Sequence, residues 1–484
     1  MKKNSLLKAI VGMFLAYIIL SWIIPAGSFY GAELNTDGTA PIGLIDIIRY
    51  PIITSTSSVF VLSSLVVLLI GGFYAVLNKT GVYGKMVQNL TKKFKGKEFN
   101  FVIITVVVLA LLSSLTALTL PLFVLVPFFV AVIMSLGYKK FAAFLSTFGA
   151  ILVGNMASTY GFNVNGYIKY FLNVGMHTTI LYRIIFFVVA VGILLFIIYK
   201  LSAKDLLKKS TRKSTKKADK IEEVKEENII PLYDGIVDKK KSAVPLVVIT
   251  IVMLLVALVG MYNWSTGLGF DVFNKIYEGI TNFKINGYPI FKNLIGSIDP
   301  VGYWSNYELA FLLIVSSLLI GWIYNIRFSE LVDVFAQGAK KMTKVALYMI
   351  LANVIFLVIN SNSSGLAIYA TVANFFLGLT EKFNIATMSI AGLFGGLFYN
   401  DFPYMLNILY SYLNEAYTKL PLIGLILQYI HGFVMLIVPT SVILVMGLTY
   451  LDIPYIEYLK KMWKYLLIFL AAIIVILVAA MIII

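Results

Sequence analysis

The chain has 484 residues, 60% of them hydrophobic and only 13% charged, with no Cys, a net charge of +16 and a mean hydropathy of +0.91. Soluble domains are about half apolar and a quarter charged, so this composition excludes an ordinary soluble fold, and the lack of Cys excludes disulfides, thiol catalysis and Cys-ligated metals. The positive charge is almost all Lys in segments between apolar runs, which gives no indication of a nucleic-acid partner.

Apolar runs of about 18 or more residues recur along the chain without strand-like alternation, which predicts an all-α polytopic membrane protein. The first run, residues 6–24, is long enough to cross a bilayer, and no A-x-A cleavage pattern follows it. It is therefore interpreted as a span and not as a signal peptide. Short Lys-rich segments stay on the cytoplasmic side, so Lys2, Lys3 and Lys8 predict a cytoplasmic N-terminus in the plasma membrane. The spans that follow predict a C-terminus outside.

A polar segment of mixed charge, residues 202–242, has the composition of a flexible cytoplasmic linker. It separates a first membrane half, residues 1–201, from a second half, residues 243–484. Each half opens with a lone span and a loop, and "LLIGGFYAVLNKTG" in the first corresponds to "LLIGWIYNIRFSE" in the second. Such internal repeats are common in secondary transporters, so the first half is interpreted as one repeat plus an extra N-terminal span, and the second half as the other repeat.

Four polar breaks interrupt the apolar sequence, and they predict a substrate-binding site. Inside a bilayer, non-helical backbone survives only where protein or a water-filled cavity satisfies it. Ser and Thr also pack membrane helices together, so any single break has a structural interpretation as well. The breaks are "SSLTALTLP", "GNMASTYGFNVNG", "NSNSSG" and "VPTS", at residues 113–121, 154–166, 360–365 and 438–441. Their predicted substrate-binding residues are Ser113, Ser114, Thr116, Asn155, Ser158, Thr159, Asn163, Asn360, Ser361, Asn362, Ser363, Ser364, Gly365, Thr440 and Ser441.

One acidic residue, Asp401, lies between apolar runs in "GGLFYNDFPYMLNIL". A carboxylate inside a membrane is costly and is a functional candidate by default, so Asp401 joins the predicted substrate-binding residues. Glu415 and Lys419 follow soon after, which is also compatible with a position at the membrane interface.

Four passages, in this order, carry a resemblance to a known family: "IGGFYAVLNKTGVYGKMVQNLTKKFKGKE" (70–98), "ASTYGFNVNG" (157–166), "SNSSGLA" (361–367) and "VPTSVILVMGLTYLDIPYIEYLKKMWK" (438–464). They resemble a span with its basic loop, the first broken helix, the second hairpin tip and the second broken helix of the C4-dicarboxylate-carrier-like permeases of the YfcC type, in the ion transporter superfamily. The resemblance implies two inverted repeats, each with a re-entrant helical hairpin and a broken helix, an elevator-type movement and a homodimer.

The sequence departs from the family pattern at two places. "ALTLP" (117–121), at the first hairpin tip, lacks the pair of carboxylates that many members carry. Residues 385–420 look like an insertion before the second broken helix, although "YNDFPYM" (399–405) competes for that position.

Half-helices that end inside the membrane direct their N-terminal dipoles at anionic groups, and freed carbonyls can hold a cation. With the resemblance, this predicts a secondary transporter, a symporter or exchanger, of a small carboxylate-bearing solute, either an amino acid or a C4-dicarboxylate. The coupling ion is expected to be Na⁺ or H⁺, with Na⁺ near Ser158 and Thr440, and no other cofactor or resident metal is predicted. A basic amino-acid exchanger of the arginine/ornithine kind is the alternative, because Asp401 would supply a counter-charge.

Two remote alternatives belong to other classes of protein. A channel would need a continuous polar stripe along several spans, and the polar residues form clusters instead. A membrane-embedded enzyme is not predicted, because H-E-x-x-H, G-x-S-x-G and paired intramembrane Asp residues are missing.

Overall fold

The computed structural model describes residues 4–36, 38–39, 41–212, 229–296, 298–361 and 367–483. Helices make up most of this part of the chain, as the hydrophobic runs predict. Seven of the described helices are long and apolar enough to cross a membrane: Ser5–Ile23, Phe60–Lys79, Glu98–Thr116, Ile180–Ser202, Val244–Met261, Asn306–Ile323 and Tyr455–Ile483.

The first half contains nine helices within the described residues. The seventh includes a π-helical turn at Leu145–Gly149, and the eighth begins with another at Phe162–Gly166. They are α1 (Ser5–Ile23), α2 (Asp46–Thr56), α3 (Ser58–Lys79), α4 (Val82–Lys93), α5 (Glu98–Thr116), α6 (Leu120–Ser135), α7 (Lys140–Met156), α8 (residues 162–172) and α9 (Ile180–Arg212).

The second half contains thirteen described helices, several of them short. A capping box starts the sixth span. The Ser305 side chain accepts from a backbone N–H in the first turn of the helix, and the Glu308 side chain accepts from the Ser305 backbone N–H. The helices are α10 (Val244–Met261), α11 (Trp264–Leu268), α12 (Val272–Thr281), α13 (Ile290–Ile295), α14 (Asn306–Ile323), α15 (Phe328–Ala352), α16 (Val354–Ser361), α17 (Ile368–Leu377), α18 (Ile385–Phe398), α19 (Phe402–Ala416), α20 (Leu420–Met435), α21 (Val442–Tyr450) and α22 (Tyr455–Ile483).

Two small antiparallel hairpins were not expected from the sequence. The first joins β1 (Gly27–Tyr30) to β2 (Glu33–Thr36), and the second joins β3 (Lys284–Ile285) to β4 (Tyr288–Pro289). The first hairpin also pairs with the chain just before α17, because the Ala367 N–H donates to the Gly27 carbonyl at 2.7 Å and the Gly27 N–H returns the bond at 3.2 Å.

The two halves meet where α3 packs along α15. Glycines permit this approach: a Cβ at Gly71 would lie 2.5 Å from the Gly338 carbonyl oxygen, and a Cβ at Gly338 would lie 2.3 Å from that of Gly71. Small residues let membrane helices approach at backbone distance, where dispersion and packing replace the hydrophobic driving force.

The predicted linker, residues 202–242, is not a free tether at either described end. Its first residues continue α9 as far as Arg212. Its last residues, 229–242, dock onto both halves: the buried Asn78 amide donates to the Leu232 carbonyl at 2.9 Å, and the Tyr450 hydroxyl donates to a carbonyl of the segment at 3.1 Å. Composition alone does not reveal such docking, because the contacts come from distant helices.

Three predicted breaks lie at or just after a helix end, and residues 362–365 of the "NSNSSG" break lie outside the described residues. α5 stops at Thr116, α7 at Met156, α16 at Ser361 and α20 at Met435. A fifth break, at residues 399–401, separates α18 from α19. The segment interpreted as an insertion is thus itself a pair of helices with a break between them.

Candidate functional site

Break one is the interruption between α7 and α8, residues 157–161. The hairpin formed by α5 and α6 approaches it closely because glycines face the hairpin. A Cβ at Gly154 would lie 2.3 Å from the Ala110 carbonyl oxygen, and one at Gly161 would lie 2.5 Å from the Ala117 Cβ. The hairpin tip and break one therefore form one packed unit.

Ser114 fixes the backbone of break one. Its carbonyl oxygen accepts hydrogen bonds from the backbone N–H groups of Thr159, Tyr160 and Gly161, at 2.9, 3.3 and 3.2 Å. Its hydroxyl donates to the Ala157 carbonyl at 2.8 Å. These bonds replace the helical ones that the break loses, as buried backbone requires.

Side chains from three further helices occupy the carbonyl oxygens of break one. The Ser158 carbonyl accepts from Asn165 Nδ2 at 3.0 Å and from Gln428 Nε2 at 2.7 Å. The Thr159 carbonyl accepts from Arg183 Nη1 at 3.0 Å. The freed carbonyls thus bind protein donors, and Arg183, only 1% exposed, forms no ion pair within the described part of the chain.

Several buried polar atoms around break one have no hydrogen-bond partner among the described residues. They are Asn155 Oδ1, Asn165 Oδ1, Gln428 Oε1, Arg183 Nε and the Tyr429 hydroxyl. The orientations of the Asn165 and Gln428 amides are set, because each donates its nitrogen to the Ser158 carbonyl. Buried polar groups normally have partners, so these atoms offer capacity for an ion, a water or a solute.

Break two is the interruption between α18 and α19, residues 399–401. Asp401 caps α19, because its carboxylate accepts from the Tyr404 N–H at 3.4 Å. The buried His431 donates from Nε2 to the Tyr399 carbonyl at 3.0 Å, which is the protonation that a carbonyl acceptor requires.

Asn400 joins break two to two other interruptions. Its amide nitrogen donates to Asn353 Oδ1 at 3.0 Å and to the Thr440 carbonyl at 3.1 Å. Asn353 lies between α15 and α16, and Thr440 lies in break three, the residues 436–441 between α20 and α21. One side chain therefore ties together three places where membrane helices are broken.

α20 lies between break one and break two and contacts both. Gln428 reaches break one and His431 reaches break two, one helical turn apart. Gly432 admits the end of α7, because a Cβ there would lie 2.5 Å from the Met156 Cα. α20 thus bonds to both breaks through side chains one helical turn apart.

The helices that follow the two breaks, α8 and α19, contact each other. The Asp401 side chain at the start of α19 is exposed, and Tyr167 of α8 lies within electrostatic range of its carboxylate. Asn163 of α8 and Tyr404 of α19 are also exposed. The contact of α8 with α19 therefore places one carboxylate near a phenol, with an exposed amide and a second phenol on the same two helices.

The predicted site residues separate into three groups. Ser114, Ser158, Thr159, Asn163 and Asp401 lie at the two breaks, and Asn155 and the buried Thr440 and Ser441 lie beside them. Ser113 donates to the Ile151 carbonyl at 2.8 Å and Thr116 to the Leu112 carbonyl of its own helix at 2.7 Å, so both hydroxyls serve helix packing. Asn360 and Ser361 end α16, and Asn362, Ser363, Ser364 and Gly365 lie outside the described residues.

Sequence reasoning missed several residues whose side chains join the breaks to the rest of the structure. Arg183, Asn353, Asn400, Gln428 and His431 all donate to or accept from break residues. The available signal was a polar side chain inside an otherwise apolar run, which Arg183, Gln428 and His431 all show. Among the described residues no cluster of His, Asp or Glu is arranged to hold a metal ion.

A helical chain with seven candidate spans, whose helix breaks are joined by polar side chains, has the form of a multi-pass membrane transporter. The model of the C4-dicarboxylate anaerobic carrier (DcuC) family matches residues 4–400, and the chain belongs to that family. It is accordingly a carrier and not an enzyme, as the sequence motifs predicted.

Two further comparisons, with curated proteins and with solved structures, provide less information about the chain. No curated protein matches the chain significantly. Among solved structures, the chain is similar to the YdaH transporter of Alcanivorax borkumensis, with 14% identity, a TM-score of 0.38 and coverage of 97% of both chains.

Proposed function

We propose that the chain is a secondary active transporter that carries a C4-dicarboxylate across the plasma membrane, coupled to an ion gradient or in exchange for a second solute. Membership of the carrier family supports the solute class. The observation that carries the proposal is the contact of α8 with α19, the helices that begin at break one and break two, where the exposed Asp401 lies within electrostatic range of Tyr167.

Recognition of the solute would rest on helix ends and neutral donors. α8, α19 and α21 begin at breaks one, two and three, and a helix N-terminus that ends inside a membrane favours an anionic group. Asn163 and the hydroxyl residues of the "NSNSSG" segment would supply hydrogen bonds without charge. A dicarboxylate would then be held by dipoles and amides rather than by ion pairs.

The coupling ion would be Na⁺ or H⁺. The oxygens of Asn165 and Gln428, both without partners, lie beside Ser158 and support a Na⁺ position there, since hard cations prefer oxygen ligands. Near Thr440 the support is weaker, because its carbonyl already accepts from Asn400. Asp401 is the group that would carry a proton.

Two inverted repeats with an elevator-type movement and a homodimeric assembly complete the proposal. A pair of helices followed by a broken helix occurs twice in the order of elements: α5–α6 precedes α7–α8, and α16–α17 precedes α18–α19. This order supports residues 385–416 as the second broken helix, in place of the segment around residues 438–441.

A basic amino-acid exchanger is the second candidate, and the exposed Asp401 favours it. A cationic side chain needs a counter-charge inside the membrane, and this exposed carboxylate would supply it. A neutral or acidic amino acid would use the same amides as a dicarboxylate.

Purified protein in proteoliposomes tests these proposals. We expect uptake or counterflow of labelled succinate, dependent on a Na⁺ or proton gradient or on succinate inside, and competed by other C4-dicarboxylates. Arginine and ornithine in the same assay test the second candidate. A thermal-shift screen of the same solutes, with and without Na⁺, gives a readout independent of flux, because a ligand stabilises the state that binds it. No flux and no shift for carboxylates or amino acids under any gradient would refute the transporter proposal.

A further inference from the structure

Among the described helices, α12 shows the clearest separation of apolar from polar side chains around its axis, and it is exposed. None of its ten residues is buried. Viewed down the axis, its apolar side chains and the Phe283 that follows occupy one continuous arc, and its polar residues occupy the other. The apolar arc consists of Val272, Phe273, Ile276, Tyr277, Ile280 and Phe283, and the polar arc of Asn274, Lys275, Glu278, Thr281 and Asn282.

The chain pins this helix close to the end of a membrane span. α12 belongs to residues 262–305, which leave α10 and return to α14. Both ends are tied to Gly260, the penultimate residue of α10: its carbonyl accepts from the Gly302 N–H at 2.7 Å and from the Trp304 N–H at 3.1 Å. Trp264 Nε1 donates to the Val259 carbonyl of α10 at 2.7 Å, and the Trp264 and Phe273 ring centroids lie 5.8 Å apart, so the start of α12 lies close to the end of α10.

Exposed apolar side chains are present on α12 and also on the nearby span α10. On α10, Val252, Leu255 and Val259 are exposed at 52%, 56% and 36%. On α12, Val272 and Ile276 are exposed at 58% and 53%. Exposed apolar surface of this kind marks a site that a membrane or another protein covers.

The composition and size of α12 favour lipid over a second protein chain. Its apolar arc contains aromatic residues, and the ring centroids of Trp264 and Phe273 lie 5.8 Å apart. Aromatic side chains are typical of the headgroup boundary of a bilayer. A ten-residue helix is about 15 Å long and roughly 10 Å wide, which gives a face of a few hundred Å² at most. A stable protein interface needs about 800 Å² from each partner. We propose that α12 lies flat in the headgroup region of the bilayer, with Val272, Ile276 and Ile280 inserted among the acyl chains.

The Cys-free chain allows a direct test, because single cysteines can be introduced without removing others. Ile276→Cys on the apolar arc and Glu278→Cys on the polar arc form a matched pair on the same helix. Each is labelled with a nitroxide in full-length protein in phosphatidylcholine nanodiscs, where reagents reach both bilayer faces. Collision rates with oxygen, which concentrates in acyl chains, and with a water-soluble nickel chelate are then compared.

We expect the logarithm of the oxygen-to-nickel ratio to be positive at position 276 and negative at position 278. A negative value at both positions would mean that the helix stands in water and would overturn the proposal. Protection from both reagents at position 276 would also overturn it, and spin–spin broadening would then identify a second copy of the chain as the true occupant. If Ile276→Cys does not fold, Ile280→Cys with Asn282→Cys gives the same comparison.

Discussion

Break one is held by side chains that reach it from four helices, whereas break two presents an accessible carboxylate. Ser114, Asn165, Arg183 and Gln428, from α5, α8, α9 and α20, occupy the carbonyl oxygens of break one. At break two, His431 and Asn400 make the tying bonds while the Asp401 carboxylate is exposed.

This difference indicates that the two breaks have different roles. A backbone whose polar groups are satisfied by packed side chains is rigid, because each bond must be lost before the segment moves. An intramembrane carboxylate with accessible surface is instead a group that can exchange protons or bind cations. Break one would then define the shape of the site, and break two would carry its charge.

The largest effect is expected from a substitution that disrupts the packing around break one. Gly154→Val places a branched side chain where a Cβ alone would lie 2.3 Å from the Ala110 carbonyl oxygen. Overpacking of this kind costs about 1–3 kcal/mol or more, so we expect little folded protein by size-exclusion chromatography and a much lower melting temperature. Gly192→Val is the matched control, because a Cβ there has no neighbour within 4 Å. Equal stability of the two variants would show that break one is not tightly packed.

The second test removes the charge of break two and leaves its fold. Asn is as good a helix N-cap as Asp, so Asp401→Asn should keep α19 and the melting temperature. We expect gradient-driven accumulation of solute in proteoliposomes to be lost, since the side chain can no longer carry a charge. The exposed Glu381, in the same half, gives Glu381→Gln as the control, which should transport normally. Normal accumulation by Asp401→Asn would remove break two from the coupling mechanism.

A smaller effect is expected when the two side chains that donate to the Ser158 carbonyl, Asn165 and Gln428, are replaced. Gln428→Leu alone leaves Asn165 in place, and we expect a loss of about 1 kcal/mol. Gln428→Leu combined with Asn165→Leu strips the carbonyl of both donors, so the loss should exceed the sum of the single losses. Gln428→Leu with His431→Leu is the control, because these donors serve different carbonyls and should act additively. Chemical denaturation in detergent gives the free energies of unfolding of the unmodified protein, the three single variants and the two double variants.

The positions of the breaks were predictable from the sequence because their chemistry is local. Gly, Pro, Ser and Asn inside an apolar run interrupt a membrane helix wherever the run folds, and α7 and α20 do end at the predicted places. The family was predictable for the same reason, since its motifs are the breaks themselves.

The partners of the breaks were not predictable, because they are set by tertiary packing. Gln428 reaches Ser158 across 270 residues of chain, and nothing near either residue indicates the other. The same holds for Asn78, which binds the end of the predicted linker through Leu232. The sequence does not distinguish Asn400, because Asn is abundant in this chain. Only its contacts in the structure identify it.

The smallest expected effect separates two hydroxyls that the sequence treats alike. Thr116 bonds only to backbone of its own helix end, at Leu112 and Leu118, and it is partly exposed. Thr116→Val should therefore change the free energy of unfolding by less than about 0.5 kcal/mol and leave transport intact. Ser114→Ala, two residues earlier, removes the hydroxyl that bonds the Ala157 carbonyl and should cost about 1–3 kcal/mol. If Thr116→Val instead abolishes transport at unchanged stability, the hairpin tip contacts the solute directly, and break one is part of the binding surface as well as its support.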